Sequence, residues 1–211
     1  MDKKHPDLVR PVQQTRSRER LESIVEAGLA LLDSRSFDEI TMEMIAAEAG
    51  CSVGTIYKRF TNREALLVVL ANVVHQDVVR ELQSGGLPEI QGDPALLPIL
   101  QLSFHFMTKQ LRAREGLVRA MLTRQLTHPG SSQPLREAGR EILQVTLERS
   151  SSLRPGHMCE AEFQWRMQVG FQIAISTLIN TIINRAGPLQ LDDASTPDHL
   201  AHVAYSYLIA P

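Results

Sequence analysis

Apolar residues return at three- and four-residue steps over most of the chain, the spacing of one buried face on an α-helix. Leu21, Ile24, Val25, Leu29 and Leu32 mark such a face between Arg16 and Ser34, and Ser34-Arg35-Ser36 interrupts it. Pro6 and Pro11 argue against a regular helix before about residue 12. A short helix is predicted over 42–49, with Thr41 as N-cap, Glu43 at the positive end of the dipole, and Ile45 and Ala49 facing inward. Gly50 can take the left-handed conformation that ends it. Ser52 then caps a third, very short helix reaching about Phe60. Thr61-Asn62-Arg63-Glu64 reads as a capping box that opens a long helix over 62–82, with Leu66, Val69, Leu70 and Val73 on one face.

Ser84-Gly85-Gly86-Leu87-Pro88 and Gly92-Asp93-Pro94 punctuate the chain and place a boundary near residue 80. Beyond it, helices are predicted at about 94–114, 116–127, 134–153, 160–186 and 196–209, separated by Gly and Pro breakers. No alternating strand pattern, internal repeat or low-complexity run competes. The expected fold is all-α, with a basic arm over 1–15, a first domain over 16–80 and a larger helical domain over 81–211.

Composition narrows the class. The 211 residues are 43% hydrophobic and 22% charged, enough for a packed core. The longest apolar run falls well short of the ~18 residues that span a bilayer, so no membrane partner is expected. The polar first twenty residues lack the apolar run of a secretory signal, which predicts a cytoplasmic protein. Cys51 and Cys159 are too few and too far apart for a disulfide scaffold. A formal charge of −2 does not announce a nucleic-acid binder, so any such activity must come from local placement. Local placement is uneven: residues 1–20 carry six basic against three acidic side chains.

The stretch from Thr41 to Phe60 has the grammar of a helix-turn-helix: a short helix, a tight turn containing glycine, a second short helix. Ile56 and Phe60, four apart, would seal the second helix inward, leaving Val53, Gly54, Thr55, Tyr57, Lys58 and Arg59 toward solvent. A recognition helix needs small or hydrogen-bonding residues near its N-terminus so that its backbone can approach base edges. Gly54 costs roughly 1 kcal/mol of helix propensity, a loss that makes sense where something must come close. Lys58, Arg59 and the Tyr57 hydroxyl can bind phosphates. Arg63, a cation in the first turn of a helix, opposes the macrodipole, and a docked phosphate would reverse the local field. From Ser52 to Arg63 there are three basic residues and no acidic one.

These residues resemble a known family. The run from Ile40 through Thr41-Met42, Ile45-Ala46, Ala49-Gly50-Cys51-Ser52, Val53-Gly54-Thr55, Ile56-Tyr57-Lys58-Arg59-Phe60 and on to Asn62-Arg63-Glu64-Ala65-Leu66 is similar to the TetR-type (tetracycline-repressor-like) transcriptional regulators. Cys51 stands for the usual Val, Ile56 for Leu and Arg63 for Lys, each keeping the chemical character. The match covers about residues 16–75, without gaps. The resemblance implies that Thr41 touches a phosphate with Met42 beside it, that Ser52 caps the recognition helix, and that Val53, Gly54 and Thr55 meet base edges. It implies that Tyr57, Lys58 and Arg63 grip the backbone; Arg59 stands where the family often has His or another polar residue. It further implies a homodimer on a pseudo-palindromic operator, and a second domain that holds a small-molecule inducer.

The C-terminal helices must then supply an interface and a pocket. Val169, Ile173, Ile179, Ile182 and Ile183 with Val203, Tyr207 and Leu208 exceed what one small core needs, so the dimer is expected through 160–186 and 196–209. Polar or aromatic groups set in apolar helices give the pocket candidates Phe104, His105, Met107, Met121, Gln125, Trp165, Gln168, Phe171 and Gln172. They suit a largely apolar effector. His157 with Cys159, and His199 with His202, lack further ligands at metal-binding spacing, so neither metal nor cofactor is expected. There is no G-x-S-x-G, H-E-x-x-H or glycine-rich phosphate loop, and an enzyme is not expected. The rivals are a constitutive DNA-binding regulator without inducer, and a helical enzyme whose triad is assembled only by tertiary structure.

Overall fold

The computed structural model describes residues 10–88 and 95–210, with side chains from residue 16 onward. Residues 1–9 of the expected basic arm and the Gly92-Asp93-Pro94 breaker lie outside the described residues. Helices α1 (Arg10–Ser34), α2 (Met42–Glu48), α3 (Val53–Tyr57), α4 (Arg63–Gln83), α5 (Leu96–Ala113), α6 (Glu115–Arg124), α7 (Gln133–Ser150), α8 (Glu160–Asn184) and α9 (Thr196–Ile209) follow one another, with no strand among the described residues. α1 opens two residues before the expected limit. Pro11 lies in its first turn, where a missing N–H removes no helical bond. Two short 3-10 turns, Phe37–Glu39 and Ser151–Leu153, complete the elements.

The chain divides into two compact units, Met1–Leu70 and Ala71–Pro211, so it passes from one to the other within α4. This division precedes the expected boundary at residue 80. The physical reason is that Ala71, Val74 and Val78, later on α4, line a cavity with α5, α6 and α7.

In the first unit α2 packs on α1 and α3 on α2. Ile24, Ile45 and Ile56 are essentially inaccessible, and Phe37, Ile40, Phe60 and Leu66 complete the core. Burying a side chain such as Ile56 contributes roughly 1.5–3 kcal/mol, which fixes the orientation of a five-residue helix too short to stand alone. A Cβ placed on Gly28 would lie 3.0 Å from Leu70 Cδ1, so α1 and α4 approach closely at a residue without a side chain. The α2–α3 turn is closed by Gly50 at φ 60° and by the Cys51 N–H donating to the Ala46 carbonyl at 2.9 Å.

In the second unit α5 packs on α9 and α7, and α8 packs on α9, α7 and α6. Phe104 of α5 and Phe171 of α8 meet edge to face, centroids 4.9 Å apart, at the middle of this core. The buried Ser103 and Thr146 hydroxyls satisfy one another at 2.7 Å across α5 and α7. Gly170 lets α8 meet α9 closely, because a Cβ there would stand 3.1 Å from the Ala204 Cβ.

Candidate functional site

Two local bonds build the helix-turn-helix. The Thr41 hydroxyl accepts the Met44 N–H at 3.3 Å at the start of α2, and the Ser52 hydroxyl accepts the Thr55 N–H at 3.3 Å at the start of α3. Each satisfies one of the orphan donors of a helix N-terminus. The Ser52 and Thr55 hydroxyls also bond each other at 2.9 Å. α3 ends at Tyr57, short of the expected Phe60, but Phe60 still closes the core with Ile56.

The outward face of α3 is formed by Val53 and Thr55, half-buried, and by Gly54, Tyr57, Lys58 and Arg59, exposed. Tyr57 is 52% exposed, unusual for an aromatic ring in a small core-forming helix. Around Gly54 there is open space: an added Cβ would meet only the Ser52 Oγ, at 3.9 Å. Glycine at this position therefore answers no internal packing demand. Lys58 has no ion-pair partner among the described residues.

Three expected contacts stand elsewhere. Met42 is 5% exposed, so its side chain belongs to the core, and only its backbone in the first turn of α2 lies beside Thr41. Arg59 donates to the Ser17 carbonyl at 2.9 Å and to the Ser17 hydroxyl at 2.8 Å, tying the end of the motif to α1. Arg20 makes a similar tie from α1 to the Gly50 carbonyl at 3.3 Å. Arg63 is the most fully engaged of the three within the first unit. Its guanidinium donates to the carbonyls of Phe37, Asp38 and Ile40 at 3.0–3.2 Å and lies 5.0 Å from the Phe37 ring centre. Those carbonyls cluster around a 3-10 turn and offset the unfavourable dipole without any phosphate. Arg63 is a staple of the fold.

The second unit holds an apolar cavity of about 50 Å³ among α4, α5, α6, α7 and α8. Met107 and Met121 are among its lining residues. Phe104 and Phe171 are buried in the core beside each other instead. The Gln125 Oε1 accepts the Ser132 N–H and hydroxyl ahead of α7. His105 stands on the surface, its Nε2 3.1 Å from Asp198 Oδ1, because its face of α5 meets α9. Trp165, Gln168 and Gln172 share an exposed face of α8. Three polar residues that sequence reasoning overlooked do border the cavity: His75, Gln110 and Arg114. The signal for His75 was present, since Ala71, Val74, His75 and Val78 follow helical spacing on one apolar face.

A cap-rich pair of short helices, presenting an open glycine, an exposed tyrosine and an unpaired lysine, defines a helix-turn-helix domain of the DNA-binding class. Residues 24–70 match the family model for bacterial regulatory proteins of the tetR family, and the chain carries that family's helix-turn-helix domain. The whole fold is similar to a TetR-family transcriptional regulator from Streptomyces coelicolor, at 17% identity, 90% of this chain, 80% of that one and a TM-score of 0.70. It is likewise similar to one from Mesorhizobium loti, at 19% identity, 92% of this chain, 96% of that one and a TM-score of 0.69. A third likeness is to the fatty acid degradation regulator FadR from Bacillus halodurans, at 18% identity, 90% and 98% coverage and a TM-score of 0.60. At such identities the likeness carries the fold, and function must be argued from the sites. No curated protein matches the chain. Among the described residues, no helix is long and apolar enough to cross a membrane.

Proposed function

We propose that the protein is a homodimeric transcriptional repressor of the cytoplasm that binds operator DNA through α2 and α3 and leaves it when a small, largely apolar ligand enters the cavity among α4–α8. The observation that carries the DNA-binding half is the outward face of α3, where Gly54 has open space about it and Tyr57 and Lys58 are exposed. In this reading Val53, Gly54 and Thr55 meet base edges, and Thr41, Tyr57 and Lys58 hold phosphates on either side of the groove. The dimer is supported by the apolar residues left exposed on α8 and α9, among them Trp165, Ile173, Val203 and Tyr207. A single short helix reads too few base pairs for useful specificity, and a two-fold pair reads twice as many.

The ligand half rests on the cavity's apolar walls. The Bacillus halodurans neighbour is a regulator of fatty acid degradation, a process whose substrates are apolar, and this supports an apolar effector here. A ligand releases DNA only if it binds better to a dimer whose recognition helices are wrongly spaced. Half-sites one turn apart require spacings of roughly 34–36 Å. Because α4 contributes both to the first unit and to the cavity wall, a ligand that displaces its later turns changes that spacing. A coupling of ~1–3 kcal/mol lowers operator affinity from several-fold to about a hundredfold.

The test is an electrophoretic shift of the DNA upstream of the protein's own gene, followed by a thermal-shift screen of hydrophobic compounds and a release assay on each hit. Specific shifts that hits abolish are expected. No specific shift at moderate salt over the promoter fragments overturns the DNA-binding reading. Hits that stabilise the protein yet leave operator affinity unchanged overturn the release step and favour a constitutive regulator.

A further inference from the structure

The cavity's apolar walls carry one ring nitrogen and one guanidinium without partners among the described residues. His75 projects from α4 with its Nδ1 3.8 Å from Glu137 Oε2, while its Nε2 is buried and makes no hydrogen bond among the described residues. A buried nitrogen left unpaired keeps its desolvation cost and invites a partner from outside the chain. Arg114 borders the same cavity, half-buried, and its guanidinium has no ion-pair partner among the described residues. The neighbouring carboxylates are already engaged. Glu81 is held by Lys109 at 2.8 Å and Gln110 at 2.7 Å, and Glu115 by Arg119 and, at 3.7 Å, Arg185. Gln110 is thereby turned to Glu81. The net polar character of the cavity is one uncompensated positive charge and one orphaned ring nitrogen, set among methionine and aliphatic side chains.

We propose that the ligand is an amphipathic carboxylate, its apolar body among Met107, Met121, Ile142 and Ile175 and its carboxylate drawn to Arg114, with the buried His75 nitrogen supplying a directional hydrogen bond. This rests on the reading of the cavity as the effector site. A planar guanidinium fits a carboxylate through two parallel bonds, which an alcohol or an amine cannot reproduce. The cavity of about 50 Å³ has room for the centres of only a few water-sized groups, at ~10–15 Å³ each. A chain of eight carbons must therefore push the walls outward. Met107 and Met121, unbranched and adaptable, are suited to yield. Occupation and wall displacement are one event.

The experiment uses the full chain and three ligands of one chain length: octanoate, 1-octanol and octylamine, with binding read by calorimetry and operator binding by fluorescence anisotropy. Octanoate is expected to bind at least about tenfold more tightly than the alcohol, and the amine least. Arg114→Gln should remove most of that preference while leaving 1-octanol binding unchanged, and His75→Phe should weaken octanoate by about tenfold. Circular dichroism checks that each variant folds, and the ligand series on the unaltered protein decides the question even if neither does. Equal binding of octanoate and octanol, or tighter binding of octylamine, overturns the carboxylate assignment. Should octanol release the operator and octanoate not, the ligand-released regulator stands and this assignment falls. Should no DNA bind at all while octanoate binds through Arg114, the assignment stands and the regulator falls.

Discussion

Gly54 is the residue at which stability and the proposed DNA contact would pull in opposite directions. The space beside it is open, and its backbone is ordinary helix, so an alanine fits the folded chain without strain. Gly54→Ala is expected to stabilise the fold by up to about 1 kcal/mol of helix propensity, and so raise the melting temperature, while weakening operator binding because the added methyl holds the backbone off the groove. Thermal melts and anisotropy on the same preparation check both halves; unchanged affinity with raised stability would remove Gly54 from the interface. The two caps, Thr41 and Ser52, were legible in sequence because a cap is decided by residues three apart. Arg63 was not. Its local neighbourhood shows only a cation badly placed against a dipole, and the carbonyls that resolve the conflict lie 23 to 26 residues upstream. No local pattern reports a bond of that span.

Most helices were legible from apolar periodicity, with limits displaced by one to three residues where ends fray or tighten. The 3-10 turn Phe37–Glu39 escaped notice because three residues show no period. Its signal was instead Ser36 followed by Glu39, whose carboxylate takes both the Ser36 N–H and hydroxyl, at 2.9 and 2.8 Å. At the start of α4 the expected Thr61 cap is replaced by Asn62, whose Oδ1 accepts the Ala65 N–H at 2.8 Å. The junction of α4 with α5 gives a pH prediction. Hydrogen bonds from Lys109 and Gln110 hold the Glu81 carboxyl below its ordinary value of 4.5. A group whose folded pKa is depressed adds stability above its unfolded pKa and loses it as pH falls through the folded value. Glu81→Gln should therefore melt below the unaltered protein at neutral pH, with the gap closing on acidification well below 4.5. A gap that persists unchanged at about pH 3 would show the loss to be packing rather than charge.

At the scale of the molecule, Trp165 on α8 is 62% exposed and Val203 on α9 54%, alongside Ile173, Ile183 and Tyr207. The sequence marked this surplus, yet it could not separate surface from core within it: Ile182 and Leu208 prove fully buried. That separation depends on which turn of α8 meets α9, and the close Gly170–Ala204 approach decides it. Combining Ile173→Asp with Val203→Asp should yield a folded monomer by sedimentation and lower operator affinity by more than about tenfold. A dimer that survives both changes would place the interface elsewhere. The cavity's lining begins at Ala71, whereas the outward face of the helix-turn-helix and its staples end at Arg63. Among the described residues none serves both. Under the proposed function the chain would be a two-part instrument whose detector and address can be exchanged separately: rewriting Met107 and Met121 is expected to retune which compound is sensed, and rewriting Val53 and Thr55 to redirect the response to another gene.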